Sequence, residues 1–294
     1  MRVSDSMIHE LSVRGLRARK ADHFEAQQVA STGVRVQKPS DDPIAAARAR
    51  GTRSAERRQD AIAQMSGEAI DSLHGVSDTL GHAADVASRV RELAVLGAND
   101  HLSADDRAGM AEEVSALRGE LLALANTRVD GEHVFGGLAH DTPPFDAMGA
   151  YLGDTRVKEI EIGPGLRVPT QVPGDAIFGA DAGGVPAFAT FDALEAALRG
   201  DDPDAAHALL DDLDAVVSQI ALGQARVGGR QQALQQAQRA AERTRDDAIG
   251  RRAELVEASP VEAFTELVRA ENALREAISV ASRLPGPSLV GSGG

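Results

Sequence analysis

Between Ala69 and Gly97 the residues Ala69, Leu73, Val76, Leu80, Ala83, Ala87, Val90, Ala94 and Gly97 follow one another in alternating steps of four and three. This 3.5-residue repeat is the seam of a coiled coil, in which a stripe along one helix packs continuously against another helix. The second half of the stripe is mostly Ala and Gly, so the partner helix must approach closely. No Pro falls between Pro43 and Pro143, and a helix from Pro43 to about Ala98 would be on the order of 80 Å long at ~1.5 Å per residue. A compact enzyme domain rarely houses such a rod.

Around the rod the chain reads as helices, a short β insert, then helices again. Gly97-Ala98-Asn99-Asp100 ends the rod, and Ser103-Ala104-Asp105-Asp106 opens another helix in the manner of a capping box. There Met110, Val114, Leu117, Leu121 and Leu124 continue the stepping, and the short connection makes the two helices antiparallel neighbours. Periodicity collapses from Val134 to about Pro186, where Gly and Pro are frequent. Within that stretch Ile160 and Ile162 alternate with Glu159 and Glu161, and Gly163-Pro164-Gly165 supplies a turn. Leu166, Val168 and Val172 then alternate with Arg167 and Gln171, which completes a β-hairpin pattern. Helix returns at Asp202-Pro203, where Ala206, Leu209, Leu213, Val216 and Ile220 form a second seam. Residues 224–258 stay helical by composition but are polar. Ser259-Pro260-Val261-Glu262 reads as a capping box with proline at the first helical position. The last helix carries Phe264, Leu267, Leu274, Ile278 and Ala281 on one face and ends at Leu284-Pro285-Gly286.

Residues 31–50 form a joint between two helical stretches. Gly33 permits a turn, and Pro39 pushes Lys38 toward an extended conformation. Asp42 can accept hydrogen bonds from the first helical N–H groups, and Pro43 suits the first helical position. Ser259-Pro260 repeats the device near the C-terminus. Both terminal helices are amphipathic and have no evident partner except each other. The expected fold is mainly α: an elongated antiparallel coiled-coil helical bundle with paired terminal helices and a small inserted β-rich domain. The expected division is 1–40 with 259–294 as terminal helices, 41–133 with 195–258 as the central bundle, and 134–194 as the insert.

Composition narrows the function classes. Aromatic residues make up 3% of the chain, with no Trp and one Tyr, so the apolar content is mainly Ala, Val and Leu, which suits thin bundles. The absence of Cys excludes disulfides and thiolate metal sites. Residues 1–60 hold 12 Lys/Arg against 8 Asp/Glu, a net +4, while the remainder carries −18 of the total −14. The basic residues are interspersed and lack stacking aromatics, which argues against nucleic acid as a partner. No apolar run reaches the ~20 residues of a membrane span, and the N-terminus lacks the apolar core of a cleaved signal peptide.

With these features in place, the sequence resembles the flagellin family. The resemblance rests on "MRVSDSMIHELSVRGL" at the start, "VASTGVRVQKPSDDPIAAARA" at 29–49 and "SPVEAFTELVRAENALREAISVASRL" at 259–284. Two internal segments, "VFGGLAHDTPPF" (134–145) and "YLGDTRVKEIEIGPGLRVPTQVPGDAIFG" (151–179), resemble the hook-associated, junction-type branch of the family rather than its filament type. The Pro/Gly tail after Leu284 departs from the family pattern, in which the chain often ends soon after the last helix. The resemblance implies a structural, non-enzymatic subunit of the bacterial flagellum, extracellular and exported without a cleaved signal peptide. It also implies terminal helices that are disordered in the monomer and order on assembly as an inner layer. The implied partners are other copies of the chain, a neighbouring hook-associated protein, filament flagellin, an export chaperone and the type III export apparatus. Met7, Leu11, Phe264, Leu267, Leu274 and Ile278 would anchor the contacts between subunits. Gly33, Pro39, Asp42, Pro43, Ser259 and Pro260 would form the joint. A filament flagellin with a short outer domain and, from another class, a cytoplasmic coiled-coil adaptor are the alternatives.

The remaining motifs have plainer readings. His74 and His82 lie two helical turns apart, too far to share a metal as an i, i+4 pair can. "GDDPD" (200–204) lacks the following ligands of a calcium loop and reads as a helix cap. The glycines of "GPGLRV" and "RVGGRQ" carry no phosphate-loop signature, and no cofactor, metal or catalytic set is expected.

Overall fold

The computed structural model describes residues 5–129, 131–163, 165–179 and 184–283. Pro164 of the expected turn and the tail from Leu284 onward lie outside them. In chain order the elements are α1 (Asp5–Thr32), α2 (Pro43–Gly97), α3 (Ala104–Ala125), β1 (Arg128–Val129), β2 (Glu132–His133), β3 (Glu159–Gly163), β4 (Leu166–Pro169), α4 (Asp175–Phe178), α5 (Ala187–Arg199), α6 (Pro203–Ala208), α7 (Leu210–Val256) and α8 (Pro260–Arg283). Close contacts divide the chain into two units, Arg58–Arg243 and, from the two ends together, Met1–Arg57 with Thr244–Gly294.

The larger unit is built on the seam. Leu73, Leu80, Ala83, Ala87, Val90 and Ala94 of α2 are wholly buried, and Ile70, Val86 and Leu93 beside them widen the stripe. Leu213, Val216, Ile220, Val227 and Leu234 of α7 share the same core. Arg91 pairs with Asp214, Gly81 lies beside Gln224 and Gly67 beside Gln238. Descending numbers on α2 meet ascending ones on α7, so the helices are antiparallel. On α7 the buried residues Ile220, Val227, Leu234 and Ala241 of this unit recur every seventh position. The seam therefore continues through the stretch that its polar composition marks as featureless.

Helix α3 starts as expected, with the Ser103 hydroxyl accepting from the Asp106 N–H at 3.2 Å. It is held on α2 by Arg89–Glu113 at 2.7 Å. Arg107, 4% exposed, joins three turns at this end of the bundle. Its guanidinium donates to the Gly97 carbonyl at 3.1 Å and the Asn99 carbonyl at 2.8 Å, and it pairs with Asp201. It thus satisfies carbonyls left open where α2 ends. Asp201 has a positive φ of 52°, and Asp202 caps α6 through the Ala205 N–H at 2.9 Å with Pro203 in the first turn. The acidic "GDDPD" stretch is accordingly a helix start and an anchor for Arg107.

The 134–194 segment shares the core of the bundle. The chain has seven Phe, and five of them, with the only Tyr, fall between Phe135 and Phe191. Phe178 meets Phe135 and Phe145 edge to face, with centroids 5.4 and 5.8 Å apart. These rings belong to the same buried cluster as the α2 and α7 seams. Aromatic bulk is thus concentrated where the bundle needs thickness. Helix α5, which the Gly/Pro-based reading of this region passes over, buries Phe188, Phe191, Leu194 and Leu198. Arg118 donates to Asp192 at 3.1 Å and Arg199 to Glu112 at 3.0 Å, fixing α5 on α3. From α7, Gln219 donates to the carbonyls of Ile177 (2.7 Å) and Gly179 (3.0 Å) and accepts from the Val185 N–H at 3.1 Å.

The expected hairpin is present. Strands β3 and β4 are antiparallel, with Ile160 opposite Val168 and Glu161 opposite Arg167. A second, minimal hairpin pairs Arg128 with His133 and Val129 with Glu132. The Gly136-Gly137 turn is structural: Gly137 has φ +60°, and a Cβ there would run into the Asp154 carbonyl.

Candidate assembly surface

In the terminal unit the two chain ends are fastened at the joint. Gly33, at φ +70°, closes α1 by donating to the Val29 carbonyl at 2.8 Å. The chain then lies antiparallel against residues 256–258. The Arg35 and Val36 N–H groups donate to the Val256 carbonyl at 2.7 and 3.2 Å, and the Ala258 N–H donates to the Gly33 carbonyl at 2.9 Å. Val34 bridges Glu257, and the Arg35 side chain reaches the Leu255 carbonyl at 3.0 Å.

Pro39 occupies the second position of a turn closed by Asp41 N–H to the Lys38 carbonyl at 3.0 Å. The Asp42 carboxylate accepts from the Ala45 N–H at 2.9 Å, with Pro43 the first residue of α2. At the other break, the Ser259 carbonyl accepts from the Ala263 N–H at 2.9 Å. Its hydroxyl makes no hydrogen bond among the described residues, so the expected capping box is absent and Pro260 alone marks the start of α8.

Backbone N–H groups hold both carboxylates of the joint below the usual range. The Lys38 N–H acts chiefly on Asp41 and the Ala45 N–H on Asp42, with Arg35 adding to the latter. Groups with depressed folded values stabilise the joint above their unfolded pKa of about 3.9. That contribution is lost as pH falls through the lower folded values. Carbon-detected NMR titration of the two side-chain carboxyls should give midpoints below those of exposed Asp residues; ordinary midpoints would show that these bonds do not form in solution.

Helix α8 pairs with α1, and because α1 ends and α8 begins at the same fastened joint, they run antiparallel. Reduced exposure recurs at Ala263, Leu267, Ala270, Leu274, Ala277 and Ala281, an Ala/Leu stripe in steps of four and three. The six expected anchors therefore divide. Leu267 and Leu274 lie half-buried within the pair. Met7, Leu11, Phe264 and Ile278 remain 56, 57, 59 and 51% exposed. Val261 and Val268, which the sequence reading did not single out, extend the outer α8 stripe beside Phe264 and are also exposed. Among the described side chains of this pair only Ala26 and Ala263 are buried. Covering an exposed Phe, Ile, Leu or Met completely is worth about 1.5–3 kcal/mol each, so this outer face holds much of the unit's unused apolar surface. His74 and His82 are both exposed on α2.

Residues 3–140 match the family model of the bacterial flagellin N-terminal helical region. The flagellar hook-associated protein 3 of Escherichia coli (strain K12) is 31% identical over 180 residues, which cover 60% of this chain and 57% of that relative. The chain spans about half the length of the curated relatives it matches. Among solved structures, a flagellar hook-associated protein from Vibrio parahaemolyticus superposes with a TM-score of 0.64 at 22% identity, covering 74% of this chain and all of that one. The flagellar junction protein FlgL from Legionella pneumophila superposes with a TM-score of 0.59 at 17% identity, covering 71% of this chain and all of that one. At these identities the structural matches speak to the fold.

Proposed function

We propose, from the match of residues 3–140 to the bacterial flagellin N-terminal helical region, that this chain is a flagellin-family structural subunit of the bacterial flagellum at the junction between hook and filament. It acts by packing, with no chemistry of its own. Its partners are other copies of itself, a neighbouring hook-associated protein and filament flagellin. It reaches its place outside the cell through a flagellar export chaperone and the type III export apparatus.

The observation that supports this most is the division of the terminal helices. Their inner Ala/Leu stripe is used in pairing, while Phe264, Ile278, Met7 and Leu11 stay outside and exposed. A helix pair with so little buried surface gains most of its stability from neighbours, which fits an inner layer that orders as subunits assemble.

Deleting the gene in its host tests the reading. The expected result is hooks without filaments, with flagellin released into the medium. Normal filaments would overturn the junction assignment, and hooks with no released flagellin would make this chain the filament protein. Complementation with Phe264→Asp/Ile278→Asp should restore export but not filaments, since two carboxylates would be desolvated in the contact.

A further inference from the structure

A groove of about 850 Å³ lies in the terminal unit beside the joint. Its apolar lining comes from Ala26, Val29, Ala258, Val261 and Ala263. Its rim carries Asp22, Glu25, Glu254, Glu257, Glu262 and Glu266 against two cations, Arg35 and Arg269. Arg269 is engaged by Glu266 at 3.3 Å, and Arg35 by Asp42 at 3.3 Å. Glu25, Glu254, Glu257 and Glu262 are exposed and make no ion pair among the described residues. So many carboxylates around one depression repel each other unless a cationic partner enters.

The same chain presents a complementary surface. Along α1, Leu11, Arg14, Arg17, Ala18 and Ala21 are all exposed, and the helical repeat of 3.6 residues gathers them on one side with Met7. On this face Arg17 has no carboxylate partner among the described residues and Arg14 is met by Glu10; Lys20, also without one, flanks the face. The surface is therefore apolar and small with unpaired positive charge, and the groove is apolar with unpaired negative charge.

We infer that the groove takes the Leu11–Ala21 face of α1 from a second copy of this chain. The two patches differ, so the contact is head-to-tail, and such contacts propagate into a ring or a helix instead of closing as a dimer. Charge sets the register along the groove, and the Ala and Leu side chains supply the buried area. This rests on the proposed assembly role and adds which surfaces meet.

The test uses the full chain in its host, with the chromosomal copy removed. Because the chain has no Cys, Arg17→Cys and Glu262→Cys each introduce a single thiol at an exposed site. Isolated flagella from cells expressing both variants together are treated with a short bismaleimide. A cross-linked species of twice the subunit mass that needs both variants is the expected result. Incorporation of both without that species overturns the inference and leaves the junction role intact; absence of the chain from flagella overturns both. A cross-link from Arg17→Cys to another flagellar protein overturns the second copy as occupant. Independently, Arg17→Glu/Lys20→Glu and Glu254→Lys/Glu257→Lys should each lower incorporation by about tenfold, and their combination should recover most of it. Recovery would also show that the single-side variants fold; equal loss in the combination would count against the pairing.

Discussion

Phe178→Ala is expected to lower the unfolding free energy of the Arg58–Arg243 unit by about 3–5 kcal/mol, the range for emptying a buried Phe site. The ring is 1% exposed and meets three others, Phe135, Phe145 and Phe188. It sits in the one-turn helix α4, whose backbone is held by Gln219 of α7. The surrounding structure cannot easily collapse, because that backbone is fixed on both sides. Its removal loses apolar transfer energy and two edge-to-face contacts. Urea unfolding followed by far-ultraviolet circular dichroism measures the change. Phe178→Leu keeps part of the volume and should cost clearly less. Midpoints unchanged in both variants would mean that the aromatic cluster is separable from the bundle.

Arg107→Met is expected to cost about 2–4 kcal/mol in the same assay, since it strips charge-assisted hydrogen bonds from one buried and one partly buried carbonyl. The carbonyls of Gly97 and Asn99 would lose the donor that closes the end of α2. Methionine fills most of the space, so the loss is polar, not steric. Asp201 is half exposed, and solvent screens its share of the pair. Asp201→Asn, which tolerates the positive φ, should cost no more than about 1 kcal/mol. If Asp201→Asn were as damaging as Arg107→Met, the ion pair and not the helix end would be the main contribution.

Particular residues show what could be read before any coordinates. The α2 seam was legible because every step from Ala69 to Gly97 holds a small or apolar residue, and nearly all of them are buried. The continuation on α7 was hidden because Ile220, Val227, Leu234 and Ala241 carry only half of the repeat. Gly223, Arg230, Ala237 and Thr244 occupy the other half, and a period of seven with one apolar residue is easily taken for a polar helix. Helix α5 was lost in a region judged by its Gly and Pro content, although Phe188, Phe191, Leu194 and Leu198 step at helical spacing. The β1–β2 hairpin has arms of two residues, too short for alternation to register. At the candidate site the joint was readable from Gly33, Pro39, Asp42 and Pro43 because each acts through local backbone geometry. The anchors were named together because α8 has two apolar stripes. Only knowing that α1 lies against one of them separates Leu267 and Leu274 from Phe264 and Ile278.

The fastening of residues 33–36 to 256–258 runs through main-chain N–H and carbonyl groups. Main-chain bonds are indifferent to which side chains flank them, apart from the positive φ at Gly33. Val34, Glu257 and their neighbours can therefore change identity while the two ends stay latched. A lineage can rewrite this surface to suit a new neighbour without first inventing a new way to hold its termini together.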